Sequence, residues 1–266
     1  MRVPVVHQRA RRRRARYARL LWNGAEVLVT LGVVILLLVV HQLWWTNRQA
    51  REGAERKVQA LEREWEGNGD GVGGGGLGGG VSGVGGGAGS GGGSPGSGSG
   101  GGSGSLRTPG STSQPRWSQA YAILTIPRLG LRVPVAEGAS KANVLNKGYV
   151  GHYPGVAQPG QVGNFALAGH RNTHGEPFRY IDRLRRGDRV EVETEVALYT
   201  YVVDRTLPRT SPGDGGTIRA IPRSVVRPAY GYTEAGHYLT LTTCTPEYTS
   251  KYRLVVWGKL DSVRPR

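Results

Sequence analysis

Between residues 67 and 104, 24 of 38 positions are glycine. A segment of that composition cannot bury enough apolar surface to offset the entropy of ordering itself. With the polar residues that follow it, this linker (67–116) divides the 266-residue chain into two parts that must be read separately. It is expected to be disordered, and as a flexible coil its glycine-rich core would reach roughly 30–40 Å. Whatever folds lies before it or after it.

The part before it is ordered by charge. Residues 1–19 carry Arg2, Arg9, Arg11, Arg12, Arg13, Arg14, Arg16 and Arg19 and no acid. Such a run suggests nucleic acid when it stands alone, but residues 27–45 follow without a charge if His41 is neutral. As a helix that stretch is about 28 Å long, enough to cross a hydrocarbon core of about 30 Å. Trp44 and Trp45 stand where an interfacial aromatic belt would. The expected order is a basic cytoplasmic tail (1–26), a transmembrane anchor (27–45) and everything else outside the cell, because arginine stays on the cytoplasmic side. A cleaved signal peptide fits less well, since the apolar run is long and no small-x-small site follows it. Nucleic acid is not an expected partner. Residues 46–66 are charged, with Val58, Leu61 and Trp65 spaced by three and four. They read as a short amphipathic helix above the membrane, a solvated stalk or a weak self-association segment.

After the linker, residues 117–266 have a globular composition and are long enough for an adequate core. Short alternating runs separated by turn residues indicate an all-β barrel or sandwich. Strands are expected at 120–126, 131–135, 164–168, 189–193, 198–207, 238–243 and 252–260, with one more in 220–226 or near Tyr149. Short helices are expected at 139–146 and 177–184. The single cysteine, Cys244, excludes an internal disulfide, so the core must hold the fold. No acidic metal cluster stands out, and neither a metal nor a cofactor is expected.

Cys244 ends the run Tyr238-Leu-Thr-Leu-Thr-Thr-Cys244, and Pro246 follows at once. Strand alternation puts it on the face opposite Leu239 and Leu241. A free cysteine is commonly a small buried hydrophobe. A strand end, a polar face and a nearby Arg253 point instead to a reactive thiol. A thiol transpeptidase or protease also needs a proton carrier and oxyanion donors. His7 and His41 lie in or before the span, and His152 stands in a turn-like Gly-His-Tyr-Pro-Gly. His237 opens the cysteine strand, roughly 20 Å or more from Cys244 along it. His170 and His174 remain, and His170 directly follows the apolar run 165–169. Arg253 either pairs on the surface with Glu247 or Asp261, or comes level with Cys244 across an eight-residue connection. In the second case it can donate to an oxyanion but cannot act as a base.

Thr240-Leu-Thr-Thr-Cys244-Thr-Pro246, then Arg253-Leu-Val-Val-Trp257, resembles the active-site strand pair of sortases, most closely class E of actinobacteria. Leu167-Ala-Gly-His170-Arg-Asn-Thr-His-Gly-Glu-Pro-Phe178 resembles the same group's histidine motif, and residues 126–135 and 151–155 also fit. The resemblance covers about 120–260. It implies an eight-stranded sortase-type β-barrel with Cys244, His170 and Arg253 as catalytic residues. It also implies cleavage of a C-terminal sorting signal, of Leu-Ala-x-Thr-Gly type in class E, between Thr and Gly. A thioester would form and pass the protein to an amine of a cell-wall precursor. The expected partners are therefore signal-bearing surface proteins, that amine and the membrane. The stretch 208–237 would form part of the signal groove. Three alternatives stand beside this. A cysteine hydrolase of similar geometry differs only in its acceptor. An L,D-transpeptidase lacks its Ser-x-Gly-Cys motif here. A tethered binding domain would carry an inert thiol.

Overall fold

The computed structural model describes residues 8–69 and 115–266. The linker between them, read above as disordered, lies almost wholly outside the described residues, as does His7.

One helix, α1 (Gln8–Gly69), runs without a break through the segments read as tail, span and charged stretch. Its middle is long and apolar enough to cross a membrane, and the span it offers is exposed throughout. From Ala50 onward its character changes. Ala50, Ala54, Val58, Leu61 and Trp65 are buried at steps of four, four, three and four, one stripe of the helix.

Eight strands follow: β1 (Ala120–Ile126), β2 (Leu131–Glu137), β3 (Val150–His152), β4 (Gly163–Ala168), β5 (Arg189–Thr194), β6 (Ala197–Thr210), β7 (His237–Thr245) and β8 (Tyr252–Pro265). They close into a barrel in the order β1-β2-β3-β4-β7-β8-β6-β5. The pairings β2–β3 and β4–β7 are parallel and the other six antiparallel. Closure leaves no free edge of the kind that templates aggregation. The interior is filled from alternate positions, among them Leu124, Ile126, Val135, Phe165, Leu167, Leu239, Leu241 and Val256. The long pair β6–β8 carries three register shifts, the irregularities that let long strands coil round a barrel.

Of the two places expected for one more strand, the one near Tyr149 forms it, as β3. Residues 220–226 form no strand and contribute only an isolated bridge, Arg223 to Gly231. Neither expected short helix is an α-helix. Residues 139–146 form turns ending in a 3-10 turn at Leu145–Lys147, and 177–184 do the same around Ile181–Arg183. Both runs are too short to offset helix nucleation, and tertiary contacts shape them instead. His152 is not in a turn. It lies in β3, fully buried, with Nδ1 against Glu137 (2.7 Å) and the Tyr121 hydroxyl (3.0 Å).

The charged stretch of α1 is also no solvated stalk. Val58, Leu61 and Trp65 pack on Ala120, Ile123, Ala136, Val144, Leu145 and Ala168. A bulge between Ala120 and Ala122 turns Ala120 to the outer face beside Ile123, so β1 is buried on both sides. Glu62 pairs with Arg132, and the Arg266 guanidinium lies 4.9 Å from the Trp65 ring centroid. Each large apolar side chain so covered contributes about 1.5–3 kcal/mol.

Between β6 and β7 the chain makes a 26-residue excursion, 211–236. Its anchor is buried Asp214, whose carboxylate accepts from Thr210 Oγ1 (2.5 Å), Ser224 Oγ (2.5 Å) and the Val225 amide (2.9 Å). Burial works to raise this carboxyl, but hydrogen bonds from Ser224, Thr210 and the Val225 and Val226 amides outweigh it and hold it below the usual range. Asp214→Ala should leave two hydroxyl protons and two amides without their acceptor and cost about 2–3 kcal/mol. A melting curve beside the unaltered protein checks this, with a fall of about 4–12 °C expected for a domain of this size. An unchanged Tm would mean the loop is held elsewhere.

Candidate active site

The hydrogen-bonded register of three strands brings the sequence-derived residues together. In the antiparallel pair β7–β8, Cys244 stands directly opposite Arg253. Directly opposed residues share a face with close Cβ atoms. The connection between the strands does return Arg253 to the level of the thiol. In the parallel pair β4–β7, Ala168 is level with Thr242. The bond from the Gly169 amide to Thr242 O (3.1 Å) and that from Thr243 Oγ1 to Gly169 O (2.8 Å) carry the alignment one step further. His170 therefore leaves β4 beside the end of β7. A side chain at Gly169 would meet the Phe178 ring at 2.6 Å, so glycine allows the strand to end there against the core.

All three residues line one cleft of about 1080 Å³ on the outer side of the barrel. Leu239 and Leu241 face the interior, so Cys244 is on the opposite face, as alternation requires. The thiol is half-buried. The cleft also takes in Asn47, Leu43 and Trp44 from α1 and Tyr248 from the β7–β8 connection.

His170 has two ring neighbours. Its Nε2 lies 2.9 Å from Asn146 Oδ1, and the His174 ring stacks on it at 5.3 Å between centroids. Burial first, then His174 and Lys141, push the His170 imidazole down to about 4 from its ordinary 6.5. At neutral pH this ring is uncharged, a base able to accept a proton. Arg253 makes no pair with Glu247 or Asp261. Its Nη1 donates to Ser250 O and to Tyr252 O, both at 3.0 Å, which holds the guanidinium against the β7–β8 connection, on the rim of the cleft that the thiol also lines.

Sequence reasoning missed Arg171. Its side chain is only 6% exposed, and Nη2 pairs with Asp182 (3.0 Å). Its Nη1 donates to Cys244 O (3.3 Å) and Thr245 Oγ1 (3.2 Å). One buried guanidinium thus joins the histidine segment to the end of the cysteine strand. The available signal was an arginine directly after the candidate histidine, at a strand end where a buried charge needs fixed partners. Among the described residues, no three His, Cys, Asp or Glu side chains gather into a metal-binding group. His237 opens β7 with Nδ1 on Gly160 O (2.9 Å), at the far end of the strand from Cys244.

The arrangement puts a thiol, an uncharged imidazole and a guanidinium around one surface cleft, groups able to serve as nucleophile, base and hydrogen-bond donor. Comparisons with known proteins identify the family. The family model described as "Sortase domain" matches residues 124–261. Sortase SrtE1 of Streptomyces coelicolor is 40% identical over 246 residues, 91% of this chain and 57% of that protein. The chain thus spans just over half of that relative's length. Sortase SrtE2 of the same organism is 34% identical over 88% of this chain and 79% of its own. The crystal structure of sortase E1 from Streptomyces coelicolor with a tripeptide in the active site superposes with a TM-score of 0.53. It is 48% identical and covers 56% of this chain and 92% of that one.

The low imidazole pKa has a definite sign. The folded value lies below the unfolded one, so the stability contributed by the neutral ring is present above pH 6.5 and lost as pH falls toward about 4. The acid limb of kcat/KM should likewise lie near pH 4 rather than 6.5, and Lys141→Met should move it upward. A rate profile on a soluble peptide checks both. A limb at 6.5, indifferent to Lys141, would mean that His170 is not the group titrating.

Proposed function

The chain belongs to the sortase family, and from that premise we propose that it is a membrane-anchored cysteine transpeptidase for surface proteins bearing a Leu-Ala-x-Thr-Gly type signal. The observation that carries the reading is the register of β4, β7 and β8, which brings Cys244, Arg253 and His170 to one level of one cleft.

The proposed chemistry follows from the groups. His170, neutral at working pH, takes the Cys244 proton as sulfur attacks the Thr carbonyl carbon. The S–C bond forms, and the carbonyl oxygen becomes an oxyanion facing the Arg253 guanidinium. As the intermediate collapses, the C–N bond to Gly breaks and His170 returns its proton to the departing amine. The acyl chain is left as a thioester on Cys244. The amine of a cell-wall precursor then attacks, losing a proton to His170. The amide forms, sulfur leaves and the thiol is restored. Arg253 also orients the signal backbone, and Arg171 holds the strand end that bears the nucleophile. No step needs a metal or a cofactor.

The arginine-rich start of α1 and its apolar middle support a cytoplasmic N-terminus with the barrel outside. Protease added to intact cells should cut within the glycine-rich linker. A linker cut only after lysis would reverse the orientation.

The reaction is tested by incubating the protein with a Leu-Ala-x-Thr-Gly peptide and an amine, then weighing the products. Cleavage after Thr and joining to the amine are expected, and water-only products would make it a hydrolase. Cys244→Ala should abolish both cleavage and transfer, and His170→Ala should nearly do so. Arg253→Lys keeps charge but loses the planar fork, and should cost about a hundredfold or more, near 3 kcal/mol. Near-normal activity of Arg253→Lys would remove the oxyanion role. Activity lost with His174→Ala but kept with His170→Ala would reassign the base.

A further inference from the structure

Residues 47–51 of α1 touch the two segments that supply the neighbours of the His170 ring. The first is the turn 145–148. Asn146, at its centre, meets His170 Nε2, and Gly148 closes it in a left-handed conformation (φ 80°). The helix lies so close that a side chain at Gly148 would stand 2.7 Å from Ala50 O and 3.3 Å from His174 O. The second is the loop 172–176, which brings His174 against the His170 ring. Here the Gly175 amide donates to Asn47 Oδ1 (2.5 Å), Arg51 Nε donates to Gly175 O (3.1 Å), and Arg51 Nη2 pairs with Glu176 (3.1 Å).

The contacts continue to the other half of the site. Glu176, whose side chain is 7% exposed, also pairs with Arg179 (2.7 Å). Arg179 Nη2 donates to the Tyr248 hydroxyl (3.1 Å), in the connection between Cys244 and Arg253. From Asn47 and Arg51 an unbroken series of polar contacts thus reaches the nucleophile's loop. His174 itself holds a left-handed backbone (φ 52°) without being glycine, a conformation that surrounding contacts must enforce.

We propose that the part of α1 just beyond its membrane-crossing stretch is a positioning element of the catalytic site, in which Asn47, Ala50 and Arg51 hold the Asn146 turn and the His174 loop around His170. The inference rests on His170 being the base. It makes helix and barrel one catalytic unit: the segment that anchors the enzyme also completes the histidine's surroundings. The glycine-rich linker then joins two docked parts and is not a spacer that sets their separation.

The experiment uses the full chain in detergent micelles or liposomes, with the unaltered protein, Asn47→Ala, Asn47→Asp and Ala50→Leu. Asp keeps an acceptor for the Gly175 amide. Leu at 50 adds bulk where the helix backbone meets Gly148. Two readouts are taken. With the Leu-Ala-x-Thr-Gly peptide, Asn47→Ala and Ala50→Leu should lower kcat about tenfold with KM little changed, and Asn47→Asp should recover most of it. Independently of turnover, the His170 imidazole is titrated by NMR in isotope-labelled protein. His174 and Lys141 face the ring, and Tyr153, Arg171, Glu176, Arg179, Cys244, Tyr248 and Arg253 are the other titratable or charged groups lining the cleft. Undocking admits water, so the midpoint should rise toward 6.5 in Asn47→Ala and Ala50→Leu and stay low in Asn47→Asp. Melting curves identify any variant that has lost the barrel, and the milder Asn47 pair keeps the comparison open if Ala50→Leu does so. Unchanged kcat and unchanged titration in Asn47→Ala would overturn the proposal, as would a raised KM at constant kcat. If the unaltered protein leaves the peptide intact while the His170 midpoint still follows Asn47, the signal-peptide reading fails and the positioning role stands.

Discussion

The pairing of Cys244 with Arg253 across β7 and β8 is the constraint on which the rest of the molecule depends. Pairing is fixed residue by residue from Tyr238–Lys259 to Thr245–Tyr252, and it could not slip by one without moving Leu239 and Leu241 out of the core. The interior apolar pattern therefore specifies the active-site geometry indirectly. Core packing chooses the register, and the register sets Cys244 and Arg253 opposite one another on neighbouring strands. The same holds for His170. Phe165 and Leu167 point into the barrel, which fixes the phase of β4 against β7 and delivers the histidine to the same level.

Around this frame the site is completed by irregular segments, and each is held by polar contacts. Arg171 joins the histidine segment to the Cys244 carbonyl from a buried position. Asp214 gathers the excursion between β6 and β7, none of whose described residues lines the cleft that holds Cys244, contrary to the expectation for 208–237. Glu176 and Arg179 connect the helix to the β7–β8 connection. Cys244 and Arg253 stand in the end residues of strands, and loops complete their surroundings.

Alternating runs made an all-β barrel or sandwich and seven of the strands legible in the sequence, the resemblance to sortases chose the barrel, and the strand end at Cys244 marked the candidate site. The third strand is only Val150–His152, too short for a periodic signal, so it could be placed only near Tyr149. The two expected helices had apolar spacing but lacked the length to form without tertiary support. The docking of α1 was half visible. The spacing of Val58, Leu61 and Trp65 gave an amphipathic face, but sequence alone did not say what covers it. A second signal lay in Ala122-Ile-Leu124, three consecutive apolar residues in a strand, which imply burial on both faces. Asn47, Ala50 and Arg51 had no local signature, because their partners lie roughly a hundred residues or more away in the chain. The low pKa of His170 was equally invisible, since it arises from burial beside His174 and Lys141 in the folded chain.

The central claim is that Cys244 becomes acylated by a peptide cut after threonine. It is tested most directly by acid-quenching the full chain with a Leu-Ala-x-Thr-Gly peptide, without an amine, and measuring the intact protein mass. A gain equal to the mass of the peptide truncated after Thr is expected. The adduct should map to Cys244, be released by hydroxylamine as thioesters are, and be absent from Cys244→Ala. A peptide cut after Thr while the protein mass stays unchanged throughout the time course, or an adduct on another residue, would contradict it.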